Sequence, residues 1–278
     1  MNQKHFSFEL FPPKTDKGFA KMQETVLTLQ KLNPDFFSVT YGAGGSTRER
    51  TFATVDWLIE NNINAAPHLV CIGSLETELI EILTRYKKQG INRIVALRGD
   101  IPSGSGIIEE EVLNHANELI SLIREHFQDQ FQIEIAAYPE FHPQALSAQQ
   151  DFDFFEQKVK AGASGAITQY FYNADAYFNF IEECQKRHIE IPIVPGIMPI
   201  TNFTQLARFS DSCGTEIPRW LRKKLEGYGD DLTSIRQCGE EVVTKMCEKL
   251  LAGGAPGLHF YTMNQVTAPL NIWNNLNL

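Results

Sequence analysis

Residues 65–100 read AAPHLVCIGSLETELIEILTRYKKQGINRIVALRGD. Ala65–Val70 is a short apolar run bounded by polar residues, the reading of a buried strand. Leu75–Lys88 follows with apolar residues at helical spacing. Lys88-Gln89-Gly90 then closes it, with a cation in the last turn and glycine just beyond. Arg93–Leu97 is a second apolar, β-branched run. Strand, helix and strand within about 30 residues describe two parallel strands joined by a crossover helix.

The same unit recurs on both sides. Further strand candidates are Phe6–Leu10, Phe36–Thr40, Ile133–Ala137, Ala166–Tyr170, Ile191–Val194 and Leu258–Tyr261. Helical spacing marks Phe19–Leu32, Thr51–Glu60, Glu110–Phe127, Phe152–Ala161 and Ala174–Lys186. The interval before Leu258 is too long for one crossover. It holds the extra segments Phe203–Cys213 and Pro218–Leu225, then a helix over Leu232–Leu251. Eight alternations predict an α/β protein of the (β/α)8 TIM-barrel type, with extra helices before the eighth strand. A doubly wound dinucleotide fold is the competitor, but no G-x-G-x-x-G follows the first strand. No linker or low-complexity tract divides the chain, so residues 1–278 are expected to form a single catalytic barrel domain.

Composition narrows the function classes. The 278 residues are 43% hydrophobic and 21% charged, enough for one large core. Lys and Arg number 25 against 34 Asp and Glu, a formal charge of −9. That balance argues against nucleic acid and against a bare anionic membrane surface. No stretch has the length or apolarity of a membrane span, and the N-terminus lacks a secretory pattern. Cys71, Cys184, Cys213, Cys238 and Cys247 are scattered and never in C-x-x-C spacing, which points to reduced thiols in a cytoplasmic protein.

Barrel catalysis belongs at the C-terminal ends of strands. Those ends are polar here: Glu9, Thr40-Tyr41-Gly42, His68, Arg98-Gly99-Asp100, Tyr138-Pro139-Glu140-Phe141-His142 and Gln169. In Phe6-Ser7-Phe8-Glu9-Leu10 the two-residue period sends Phe6, Phe8 and Leu10 toward the helices and Ser7 and Glu9 into the barrel. A carboxyl there is partly desolvated, which favours its protonated form and a general-acid role. A structural glutamate paired with a barrel arginine is the other reading. Asp100 would stabilise a developing cation or orient a cofactor, or it simply fills a turn beside glycine. Gly42-Ala43-Gly44-Gly45-Ser46-Thr47 reads as an anion cradle or as a plain strand-to-helix loop, and it lacks the P-loop ending. His68 and His142 have no partner at metal-ligand spacing, so no metal is expected. No G-x-S-x-G nucleophile motif is present. Tyr170-Phe171-Tyr172 and the cluster Phe152, Phe154, Phe155 read as core or interface.

Taken together, these segments resemble the methylenetetrahydrofolate reductases of the compact bacterial type, over nearly the whole chain. The motifs that carry the resemblance are Phe8-Glu9-Leu10-Phe11-Pro12-Pro13, Ser38-Val39-Thr40-Tyr41-Gly42-Ala43, Ala66-Pro67-His68-Leu69 and Ala96-Leu97-Arg98-Gly99-Asp100. Further on stand Ala137-Tyr138-Pro139-Glu140-x-His142-Pro143, Ala166-Ile167-Thr168-Gln169, Pro195-Gly196-Ile197-Met198-Pro199 and His259-Phe260-Tyr261-Thr262-x-Asn264.

The resemblance implies that NADH, or NADPH in some relatives, reduces FAD. The flavin then reduces 5,10-methylenetetrahydrofolate to 5-methyltetrahydrofolate by a ping-pong route, supplying methyl groups for methionine synthesis. By the same matching Glu9 is the general acid, and Asp100 the aspartate beside flavin and pterin. Thr40, Tyr41, Ala43, His68, Arg98, Gly99, Asp100, Tyr138, His142, Ala145, Asp151 and Lys158 would line the FAD site, with His115 and Ala116 as further contacts. Gln169 would meet pterin and nicotinamide in turn, and Phe203 would move over the shared pocket. The resemblance also implies a homotetramer, and no counterpart of the regulatory domain of animal relatives.

The sequence departs from the family in three places. The loop after Asp100 is longer. Phe154 and Gln157 stand where some relatives carry polar or basic residues near the flavin. Gln265 replaces an arginine that can meet the glutamyl carboxylate of folate, which removes a charge-assisted bond. Set against this reading are a pterin-binding transferase or an aldolase on the same rim without flavin, and a non-catalytic barrel. A Schiff-base aldolase would need a lysine at a strand end, where Lys14 and Lys158 are poorly placed.

Overall fold

The computed structural model describes residues 4–41, 45–99 and 113–278. Nine strand segments run parallel: β1 His5–Leu10, β2 Phe36–Val39, β3 Ala65–Val70, β4 Arg93–Leu97, β5 Gln132–Ala137, β6 Gly165–Thr168, β7 Ile193–Val194, β8 Gly196–Ile197 and β9 Gly257–Tyr261. Their order is β7-β6-β5-β4-β3-β2-β1-β9-β8. The two ends of that order are adjacent in sequence, divided only by Pro195. β7 pairs with β6 and β8 with β9, so a seventh barrel strand broken at Pro195 closes the circle. Proline cannot donate to the ladder. Its carbonyl instead accepts the His259 N–H at 3.0 Å, and Gly196 N–H is taken by Thr168 Oγ1 at 2.9 Å.

The helices are α1 Asp16–Leu29, α2 Gly45–Glu60, α3 Glu76–Lys88, α4 Ala116–Phe127, α5 Ala148–Lys160, α6 Ala174–Lys186, α7 Phe203–Cys213, α8 Arg219–Gly227, α9 Leu232–Ala252 and α10 Thr267–Asn275. The expected (β/α)8 barrel with extra helices before the last strand is therefore present. Caps set the boundaries that periodicity misjudged. α5 begins ahead of Phe152 because Ser147 Oγ accepts the Gln150 N–H. α4 begins at Ala116 rather than Glu110, because the Glu118 carboxylate takes the N–H groups of Asn114 and His115. Helix α10 was not anticipated. Its sequence is rich in asparagine, and packing of Pro269, Ile272 and Trp273 holds it.

The apolar core is mainly the annulus between strands and helices, where Phe8, Leu10, Phe37, Leu69, Ile94, Ile135 and Phe260 are buried. Inside the barrel the apolar layer shrinks to Phe36, Ala66, Val95 and Ile167, with Leu97 packed on it. Much of the remaining interior is polar. Glu134 there pairs with Arg93, whose guanidinium lies over the Phe36 ring. Burial pushes the Glu134 carboxyl up and Arg93 pulls it back. At the β1–β9 seam the backbones run so close that a Cβ at Gly257 would lie 1.6 Å from the His5 carbonyl oxygen. Among the described residues no helix is long and apolar enough to cross a membrane.

Candidate active site

β1 carries a buried carboxyl, Glu9. Phe8 and Leu10 face the annulus, as alternation requires, and Ser7 and Glu9 turn inward. The Glu9 carbonyl is held by Thr262 Oγ1 at 2.6 Å. Its carboxylate Oε2 stands 3.5 Å from His68 Nε2 and 3.9 Å from His259 Nε2. The barrel arginine that could have claimed it, Arg93, is engaged with Glu134 instead. His259 faces Ser7 Oγ through Nδ1 at 2.7 Å and Ser38 Oγ through Nε2 at 3.5 Å.

Burial pushes the His68 imidazole down to about 4, only partly offset by Glu9. The ring is thus neutral at physiological pH, and its contact with Glu9 is no ion pair. Its Nε2 is buried with no hydrogen-bond partner, a donor or acceptor left for a ligand.

Glu9 and His68 form part of the wall of one cavity of about 740 Å3, within the range of small-molecule sites. Thr40, Tyr41, Arg98, Gly99, His115, Ala116, Tyr138, His142, Ala145, Asp151, Lys158 and Gln169 line the same cavity. The structure thus brings together strand ends that are far apart in the chain. Gly99 has φ +85°, and a Cβ there would lie 2.2 Å from Val70 Cγ1, so only glycine fits. Arg98 donates to Gln144 Oε1 at 2.5 Å. In the loop after β5, His142 N–H donates to Asp151 Oδ2 at 3.1 Å and Gln144 N–H to His142 Nδ1 at 3.1 Å. Phe141 within it has φ 68°, a strained value for a bulky residue. Gln169 Oε1 accepts the Tyr170 N–H at 3.0 Å.

α5 sets Lys158 against the barrel wall, where its ammonium donates to the Ala136 carbonyl at 2.6 Å. Burial pushes it down to about 8, Asp151 pulling the other way. Burial also pushes the Asp151 carboxyl up. No carboxylate of the described residues is within ion-pair distance of Lys158. A buried cation so placed suits an anionic ligand group.

Two expected site residues lie elsewhere. Phe203 opens α7, half-buried against the core with the Arg222 guanidinium 5.9 Å from its ring. α7 reaches the cavity through Phe209 and Cys213 instead. Gln265 lines a separate cleft of about 280 Å3 with Thr201, Arg236, Glu240 and Asn271. Asp100 and Ala43 lie outside the described residues, as does the Gly42-Ala43-Gly44 part of the glycine-rich loop. Among the described residues no three His, Cys, Asp or Glu side chains form a metal cluster. His259 and Tyr261 were missed as site residues, although alternation in Leu258-His259-Phe260-Tyr261 sends both inward as it does Ser7 and Glu9.

The family model described as methylenetetrahydrofolate reductase matches residues 1–277. The chain is 38% identical to the 5,10-methylenetetrahydrofolate reductase of Escherichia coli (strain K12) over 275 residues, covering 99% of this chain and 91% of the relative. It is 40% identical to that of Buchnera aphidicola subsp. Schizaphis graminum over 260 residues, covering 93% and 87%. A rice relative named as a probable NADH-dependent enzyme of this kind is 36% identical, the match covering 98% of this chain and 48% of the relative. Among solved structures, a Clostridium thermocellum protein described as binding two copies of 5-methyl-5,6,7,8-tetrahydrofolic acid superposes with a TM-score of 0.68. At 16% identity, over 99% of this chain and 95% of that one, the likeness is one of fold.

Proposed function

The chain belongs to the methylenetetrahydrofolate reductase family of oxidoreductases, and from that premise we propose that it reduces 5,10-methylenetetrahydrofolate to 5-methyltetrahydrofolate with NADH through bound FAD. The two half-reactions would alternate in the one cavity, as a ping-pong route requires. The observation that carries this reading is the buried Glu9 carboxyl in the lining of the cavity that Lys158 and the unpartnered His68 Nε2 also line.

Those residues fit a flavin dinucleotide. Lys158 would offer a positive charge to its phosphates, and His68 Nε2 would offer it a hydrogen-bonding atom. Thr40, Tyr41, Arg98, Gly99, Tyr138, His142, Ala145 and Asp151 complete the wall. When bound, FAD would carry the hydride from NADH to the folate.

Glu9 supplies the proton that this hydride transfer needs. The five-membered ring of the folate must open to an electrophilic iminium, and opening requires a proton at its nitrogen. The Glu9 side chain lines the cavity and is only 8% exposed, which limits the access of bulk water to it. The neutral His68 ring leaves Glu9 without an ion-pair partner on that side. Gln169, on the adjoining wall, has its Oε1 engaged by Tyr170 and offers its NH2 to a pterin or nicotinamide carbonyl.

Purified protein is expected to be yellow and to bleach with NADH in the absence of oxygen. Glu9→Gln separates the half-reactions, since Gln keeps the shape but cannot donate the proton. Stopped-flow traces should show flavin reduction by NADH nearly unchanged and reoxidation by methylenetetrahydrofolate slowed about 100-fold or more. Folate turnover surviving within about tenfold would remove Glu9 as the acid. Colourless protein that cannot be reconstituted with FAD would overturn the flavin reading.

A further inference from the structure

We propose that Asn264, together with Thr262, is a positioning residue for the Glu9 carboxyl: its side-chain amide adds a rung to the β1–β9 ladder where the two strands have stopped pairing. The inference rests on the reading of Glu9 as proton donor. On its β9 side the last paired residues of β1 are Glu9 and Tyr261, and Glu9 is the last residue but one of the strand. A strand end left unpaired on one side opens more readily than the middle of a sheet. Here that end carries the acid. Beyond β9 the chain turns away, with Met263 at φ 52° and Asn264 at φ 54°. Asparagine tolerates such left-handed values, whereas methionine adopts them only under constraint.

The Asn264 side chain takes the place of the departed strand. Phe11 N–H donates to its Oδ1 at 3.0 Å, and its Nδ2 donates to the Phe11 carbonyl at 2.7 Å. Both backbone groups of Phe11 are thus satisfied, as a neighbouring strand would satisfy them. Thr262 Oγ1 donates to the Glu9 carbonyl at 2.6 Å and accepts the Asn264 N–H at 3.0 Å, so the two side chains act as one clamp. Thr25 Oγ1 of α1 lies 3.3 Å from the Asn264 carbonyl and ties the clamp to the annulus. Glu9 and Phe11 both line the cavity. A carboxyl displaced by about 1 Å loses on the order of 100-fold in a step that depends on its alignment.

The full chain loaded with FAD tests the clamp in stopped flow. Asn264→Ala should slow flavin reoxidation by methylenetetrahydrofolate at least about tenfold. Flavin reduction by NADH needs no proton from Glu9 and should stay within about twofold. Asn264→Asp keeps the shape but sets a second acceptor against the Phe11 carbonyl. Once protonated, its O–H donates and its C=O accepts as the amide did. Its folate-step rate relative to the parent should therefore climb as pH falls from about 8 to about 6. Thr262→Val, which lacks the hydroxyl, should slow the same step, and Thr262→Ser should keep it. In the flavin-free protein, hydrogen exchange at the Phe11 amide should quicken about tenfold or more in Asn264→Ala, with that of Phe8 unchanged. Folate-step rates within about twofold of the parent in both Asn264 variants, or equal slowing of the two half-reactions, overturn the proposal. So does an unchanged Phe11 exchange rate. Folate turnover intact in Glu9→Gln would instead sink the proton-donor reading and the proposal with it, while the exchange readout, which needs no folate, would still report the clamp. The two failures are therefore distinguishable.

Discussion

The Lys158 side chain is half-buried on the cavity wall, where its hydrogen bond goes to a carbonyl rather than a carboxylate. Burial lowers it from an ordinary 10.5 to about 8. The unfolded chain holds that proton up to pH 10.5, so folding carries a penalty that grows as pH falls from 10.5 to 8 and is constant below. The difference corresponds to about 3 kcal/mol. Lys158→Met, which keeps the packing and removes the charge, should raise the unfolding free energy of the flavin-free protein by about 1–3 kcal/mol at pH 7. That gain should shrink between pH 8 and 10.5 in urea titrations. On the proposed FAD reading, the same variant should bind the flavin at least about tenfold more weakly, since Lys158 would supply the phosphates with a counter-charge. No stability gain at pH 7 would mean that the ammonium is not under strain. Lys158 was legible as a cavity residue only through the resemblance, since nothing in its own helix marks it as buried. Glu9 was legible from alternation and His68 as a polar strand end. Their 3.5 Å approach was not, because the two come from different strands. Phe203 and Gln265, matched by position, stand outside the cavity lining: one packs against the core and the other lines a second cleft.

At the scale of elements, barrel closure depends on β1, β8 and β9. The alternation was readable because the first three strand-to-strand intervals are of nearly constant length. The division of the seventh strand was not. Two residues after a proline carry no periodicity, and the pairing of Gly196–Ile197 with β9 is purely tertiary. Nor was α10 readable, because its stability comes from burial and from Asn271 and Asn275 amides donated to Glu240. Gly257 marks the tightest point of the seam. A methyl group there meets the backbone of His5 at 1.6 Å, and backbone cannot swing aside as a side chain does. Gly257→Ala should destabilise the protein by at least about 3 kcal/mol in urea unfolding. Gly227→Ala is the matched control. It ends α8 with nothing within 4 Å of the added carbon, so it should be neutral or slightly stabilising. Similar losses for both would place the tight seam elsewhere.

Across the whole molecule, the annulus carries most of the apolar core, which leaves the barrel interior free to hold the polar candidate site. The division makes acid stability a contest between buried groups of opposite sign. His68 is held neutral, at about 4 against an ordinary 6.5. The unfolded chain takes up its proton below pH 6.5, so this contribution is complete above 6.5 and is lost as pH falls toward 4. It amounts to about 3 kcal/mol. The carboxyls of Glu134, Glu140 and Asp151 are pushed up by burial. Their folded forms take protons more readily than the unfolded chain does, so they favour the fold as pH falls. The parent's acid profile is the sum of these trends, and His68→Asn isolates one of them. The unfolding free energy of the parent minus that of the variant should decline by about 3 kcal/mol between pH 6.5 and 4. Above pH 6.5 the difference should be flat. A difference that stays constant through the acid range would mean that His68 titrates alike in both states, and that its Nε2 is not desolvated as the cavity geometry requires.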